Sequence, residues 1–199
     1  MNLKPTQIKH AAFFVCVLVF FNCSKDDDNE NNSSSCDESE ISFLKKGNSW
    51  TYNIETLGTD NGEVSLTIKG CNGEGFSIDK EAKNSTFSEV LTGTDLWTET
   101  DEFILADAGI NVDAKIYKKN SQLGDVWMHT QADGGVATHE VISIDSLVTV
   151  PAGTFSCVVY KYTATDIINE SFVFWNDEIG QIKEDAGFFS LELAEYSTN

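Results

Sequence analysis

Histidines, cysteines and carboxylates are the groups with which this chain of 199 residues could do chemistry, and their spacing argues against most of it. Of the three histidines, His10 stands beside an N-terminal apolar run, while His129 and His139 fall on what the pattern makes separate strands. A zinc protease needs a His-Glu-x-x-His run on one helical face; "THEVIS" supplies only His139-Glu140. There is no Gly-x-Ser-x-Gly nucleophile elbow and no glycine-rich phosphate loop. In "LADAGINVDAK", Asp107, Asn111 and Asp113 fit poorly the regular oxygen spacing, central glycine and closing glutamate of a calcium loop. The chain carries 32 acids, yet no pair stands out as the two flanking carboxylates of a glycosidase. The expectation is a non-catalytic protein with no cofactor and no metal, an enzyme being the weaker alternative.

Two tryptophans offer a different chemistry. Trp97 in "LWTE" and Trp127 in "DVWM" sit beside polar neighbours, so an exposed indole at either could stack on a glycan. The competing reading is that both rings fill the core. A protein partner, or an apolar ligand sheltered on a curved sheet, are the other occupants to weigh.

Charge removes one class of partner. All 13 cationic side chains are lysine, against 32 acids, for a net charge of −19. Such a surface repels phosphate backbones, and there is no guanidinium fork for paired contacts to bases or phosphates. Nucleic acid is excluded, and so is electrostatic attraction to anionic headgroups. Any membrane attachment must come from another source.

The cysteines suggest that source. Lys4 and Lys9 precede an unbroken apolar run, Ala11 to Phe21, too short for a comfortable span of about 20 residues. A basic start and a short apolar core make a signal peptide. The run ends at Phe20-Phe21-Asn22-Cys23, which resembles a bacterial lipobox, although Phe20 and Asn22 stand where that motif usually has Leu or Val and Gly, Ala or Ser. The resemblance implies cleavage after residue 22 and acylation, palmitate included, of Cys23. Acyl chains contribute about 0.8 kcal/mol per buried methylene, and more than one makes attachment stable. Residues 24–35, "SKDDDNENNSSS", hold no apolar side chain and cannot offset the entropy of ordering, so residues 23–35 read as a lipidated tether spreading over about 20 Å. Within it Lys25, Asp26, Asp27 and Asp28 resemble the lysine-plus-acid export signal of Bacteroidota lipoproteins. That implies the outer face of the outer membrane, with a periplasm-facing orientation as the alternative.

Three cysteines remain beyond Cys23. A Cys36–Cys71 disulfide would close a loop of about 36 residues and contribute roughly 4 kcal/mol on the chain-entropy argument. Cys157 alternates within an apolar strand and reads as a buried free thiol. Asp145-Ser146-Leu147 resembles the Asp-Ser/Thr-aliphatic O-glycosylation site of Bacteroidota envelope proteins, which makes Ser146 a candidate for modification.

Residues 36–199 must position all of this, and they read as one β-rich domain. "SWTYNIET" and "EVSLTIKG" alternate apolar and polar residues, and Asp60-Asn61-Gly62 between them reads as the hairpin turn. Asp133-Gly134-Gly135 precedes "GVATHEVISI"; Pro151-Ala152-Gly153 precedes "TFSCVVYKYTA"; Asn176 to Gly180 separates "ESFVFWN" from "GQIKEDA". "FFSLELAEY" closes the chain with Phe189, Leu191 and Leu193 on one face. Asp37 to Lys45, with acids early and lysines late, is the single helix expected, and Asp101 to Ile110 reads as strand and loop. The fold class is all-β: an antiparallel meander of about ten strands in an open or closed barrel.

The order Gly-x-x-Trp-x-Tyr (from Gly47), Pro-Ala-Gly-Thr-Phe-x-Cys (from Pro151) and Trp…Gly-x-Ile-Lys (Trp175, Gly180 to Lys183) resembles envelope lipoproteins of Bacteroidota, a family without an assigned activity. The resemblance implies a curved antiparallel sheet of the half-barrel kind seen in lipoprotein carriers. Trp50 and Trp175 are expected in its core.

Overall fold

In the computed structural model, residues 39–84, 90–107, 114–165 and 170–199 are described, and among them there is no helix. Twelve strands follow one another: β1 (Ser49–Thr56), β2 (Thr59–Cys71), β3 (Phe76–Asn84), β4 (Val90–Glu99), β5 (Phe103–Asp107), β6 (Ala114–Lys118), β7 (Val126–Thr130), β8 (Val136–Val150), β9 (Gly153–Ala164), β10 (Ser171–Asn176), β11 (Gly180–Asp185) and β12 (Phe189–Ser197). All pair antiparallel in the order β6-β5-β4-β3-β2-β1-β12-β11-β10-β9-β8-β7. First and last strands are zipped together, Trp50 opposite Tyr196 and Ile54 opposite Leu191. The result is a nearly closed barrel whose one unsealed seam, among the described residues, lies in mid-chain between β6 and β7.

The seam has a local cause. The connector from Lys119 to Asp125 does not return β7 onto β6. Gly124 donates its N–H to the Val141 carbonyl at 2.9 Å, and Val141 donates to the Asp125 carbonyl at 2.9 Å. Those two bonds commit the chain to β8 before β7 has begun.

One end of the barrel is plugged by the residues where a helix was expected. Ser39 to Gly47 form successive turns instead, with Phe43 and Leu44 fully buried. The buried side chain of Asn48 takes the carbonyls of Phe43 (2.9 Å) and Ser42 (3.2 Å). A helix would have given those acceptors to backbone N–H groups four residues on. Phe43 meets Tyr117 edge-on at 5.4 Å and Trp175 at 5.7 Å, and Trp50 lies 6.4 Å from Trp97. This end is therefore solid with aromatic rings, among them Trp50 and Trp175 as the sequence led us to expect.

Turn chemistry is partly as read. Asp133 Oδ1 accepts from the Gly135 N–H, and Asn176 Oδ1 accepts from the N–H groups of Glu178 and Ile179. The first hairpin differs. Its turn is Leu57-Gly58, both at positive φ (53° and 72°), the pattern of a two-residue hairpin turn. Asp60-Asn61-Gly62 is instead a bulge within β2, where the register with β1 shifts.

Candidate functional site

At the end opposite the plug the inward-facing side chains are half-buried rather than sealed. Register fixes which they are, because residues directly opposite in antiparallel strands share a face. Trp50 is in the core, so Leu66 opposite it, and Lys80 opposite Leu66, face inward. Asp95 sits opposite the fully buried Ile78, and lies 2.6 Å from the Lys80 ammonium. Glu184, opposite Val173 and Leu191, shares the face of Tyr160 and Ile54. A Cβ placed on Gly93 would meet only the Lys80 side chain, at 3.8 Å, so the wall has room for a methyl group at this point.

A rung of rings completes this wall. Trp127 on β7 is opposite His139 on β8, which is opposite Tyr162 on β9. The Trp127 indole stacks on His139 at 5.0 Å with a 4° interplanar angle, and Tyr162 meets the imidazole edge-on at 5.0 Å. His129, one step nearer the end of β7, lies 5.4 Å from His139. Gln131 donates from Nε2 to the Tyr162 hydroxyl at 2.9 Å.

His139 is 6% exposed, yet neither of its ring nitrogens has a partner, and His129 Nδ1 has none. Trp175 Nε1 is a further buried donor without one. Burial pushes His139 down to about 3, with His129 adding to the effect, and burial also lowers His129. Both imidazoles are neutral at physiological pH. Burial raises the Glu184 carboxyl above its ordinary value. The Tyr162 hydroxyl is raised by burial and then by Glu184, whose carboxyl faces it. Among the described residues no three histidine, cysteine, aspartate or glutamate side chains converge to hold a metal ion.

The seam adjoins this rung. Trp127 donates from Nε1 to the Lys115 carbonyl of β6 at 3.0 Å. Ser121 Oγ donates to the Lys118 carbonyl at 2.7 Å, and the Lys118 ammonium pairs with Asp125 at 2.6 Å. Side chains stand in for the missing ladder.

This architecture has a solved counterpart. It is similar to a Bacteroides fragilis protein described as exported and of YmcC-like fold, at 13% identity and a TM-score of 0.55, over 79% of this chain and 98% of that one. At that identity the likeness shows the fold alone. No family model and no curated protein matches the chain.

The residues singled out from sequence are dispersed. Trp97 is 9% exposed and Trp127 6%, so neither ring offers a face to a glycan, and the stacking role expected for them does not hold. The residues flanking them in the strands, Leu96 and Thr98, Val126 and Met128, alternate to the other face, which leaves the indoles in the barrel. Cys71, half-buried at the end of β2, is disulfide-bonded, and Cys157 is a buried free thiol. Cys23, Lys25, Asp26, Asp27, Asp28 and Cys36 lie outside the described residues. Ser146 is half-buried on β8 and donates to Ser143 Oγ at 2.9 Å. The two histidines were the residues missed as a site. Their signal was present: folding the chain about Asp133-Gly134-Gly135 sets His129 opposite Ala137 and His139 opposite Trp127.

Proposed function

We propose that this chain is a non-catalytic binding module of the cell envelope, anchored by lipid on Cys23, facing the cell exterior, with the unplugged end of its barrel as the binding site. The observation that carries the reading is the contrast between the two ends. One is filled by Phe43, Trp50, Trp97 and Trp175, with Trp175 Nε1 its unpaired buried donor, while the other gathers three unpaired imidazole nitrogens and an inner wall of half-buried apolar residues. Buried polar atoms are ordinarily paired, and those that are not call for a ligand or an ordered solvent molecule. The envelope location draws support from the leader and tether of the sequence and from the exported counterpart of the same fold.

A carrier of apolar ligands is the second reading, supported by half-buried Val64, Leu66, Val173 and Leu191 on the inner wall. Labelled palmitate in growing cells tests the anchor: incorporation should require Cys23 and vanish in Cys23→Ala. Surface proteolysis of intact cells tests the orientation. Native mass spectrometry of the protein purified from its own membrane tests the site, where a bound small molecule is expected; an empty barrel that takes up no added ligand would defeat the reading.

A further inference from the structure

We propose that the inner wall at the unplugged end takes an uncharged amphiphile, its hydroxyl or amide group held by His129 and His139 and its apolar part lying along Leu66 and Leu191. This rests on the reading of that end as a binding site and names what the site accepts.

The polar half follows from the imidazoles. A neutral imidazole carries one N–H donor and one lone pair. His139, with both nitrogens unpartnered, therefore needs a ligand that can give and take a hydrogen bond. A hydroxyl or a primary or secondary amide does both. A carboxylate only accepts, and a quaternary ammonium does neither. His139 has one face covered by the Trp127 indole, and its two ring nitrogens are the polar atoms it has left for a ligand.

Charge gives the same answer independently. Lys80 and Asp95 neutralise one another at 2.6 Å. Burial favours the uncharged form of Glu184 and of both histidines. Lys115, whose ammonium acts on His129, is the cation that this wall keeps beside the imidazoles in a chain of net charge −19. A cationic ligand would lose its hydration there and meet Lys115, and a carboxylate, which only accepts, would leave the His139 lone pair without a donor. The half-buried Leu66 and Leu191 supply apolar surface on the same inner face.

The test is a titration of the full chain at neutral pH with three probes of equal chain length: glycerol monodecanoate, decanoate and decyltrimethylammonium. Binding is followed by calorimetry and by nitrogen NMR of ring-labelled histidine. The uncharged probe should bind about tenfold or more tightly than either ion and should move the His139 nitrogen signals, one lost good hydrogen bond being worth about that factor. His129→Phe, at the half-buried position, should cut the affinity for glycerol monodecanoate several-fold and leave the two ions unchanged. Equal or tighter binding of an ion, or binding that leaves the imidazole signals still, overturns the inference while leaving a binding site in place. If none of the three binds, the reading of the unplugged end fails with it.

Discussion

The indole of Trp127 crosses the barrel's only unpaired junction between strands, among the described residues, to reach the Lys115 carbonyl at 3.0 Å. The same ring stacks on His139. One side chain therefore joins the edge of β6 to the wall of the candidate site, and the state of the seam is tied to the environment of the histidines.

Trp127→Phe keeps most of the ring surface and deletes the donor. It should destabilise the protein by about 1–2 kcal/mol, the cost of a lost hydrogen bond to a partly buried carbonyl. Amide hydrogen exchange should locate the loss: β6 and β7 should exchange faster, while β1 and β12 keep their protection. Uniform loosening of all strands would show that the bond does not act at the seam.

His139 makes stability depend on pH. Its folded value, about 3, lies below the ordinary 6.5, because burial penalises the charged ring. A group depressed in this way contributes fully above the unfolded value and costs stability as pH falls toward the folded one. Between about pH 6 and 3 each pH unit should cost up to about 1.4 kcal/mol from this residue. Glu184 is shifted upward and works in the opposite sense, gaining as pH falls. The informative quantity is the difference between the parent and His139→Phe in denaturant melts at pH 7, 6, 5 and 4. The parent should lose more on acidification, and parallel curves would refute the assignment.

Much of the fold was legible because each strand needs only local alternation. β1, β3 and β8 bury alternate residues at their starts, and the turns at Asp133 and Asn176 carry side chains that cap their own backbone. What escaped was decided by contacts far away in sequence. Trp127 stands between the exposed Val126 and Met128, but it is β8 and β6 that surround it. The acids and lysines of residues 37–45 suit a helix, yet Asn48 and the barrel end claim the described part of it, from Ser39 on. The seam itself has no signature in β6 or β7; it depends on Val141, in another strand, capturing Gly124 and Asp125.

Asn48 holds the plug from both sides. Beyond its bonds to Ser42 and Phe43, its Oδ1 accepts from the Asn199 N–H at 2.9 Å, so it links the start of the domain to the chain end. Asn48→Ala leaves these groups without partners and should cost about 3 kcal/mol or more, at 1–3 kcal/mol per buried group left unpaired. Phe43→Ala removes the ring that packs on Tyr117 and Trp175, with an expected loss of about 3–5 kcal/mol. Tryptophan emission should shift to the red in both variants as water reaches Trp175. Unshifted emission together with full stability would show that the turns at residues 39–48 are dispensable.

Gly58 and Gly62 separate turn from bulge. Both have positive φ, 72° and 121°. A Cβ on Gly58 would meet nothing within 4 Å, whereas on Gly62 it would fall 1.9 Å from the Lys83 carbonyl oxygen of β3. Gly58→Ala should therefore carry only the left-handed backbone cost, about 1 kcal/mol. Gly62→Ala must in addition push β3 away from the bulge, and backbone cannot yield as a flexible side chain would. A loss clearly above that of Gly58→Ala is expected, with β2 and β3 amides exchanging faster in the second variant alone. Had Asp60-Asn61-Gly62 formed the hairpin turn that its composition suggests, Gly62 would stand clear of β3 and the two substitutions would cost the same. Equal losses in paired denaturant melts would therefore return the turn to Gly62 and place the bulge elsewhere.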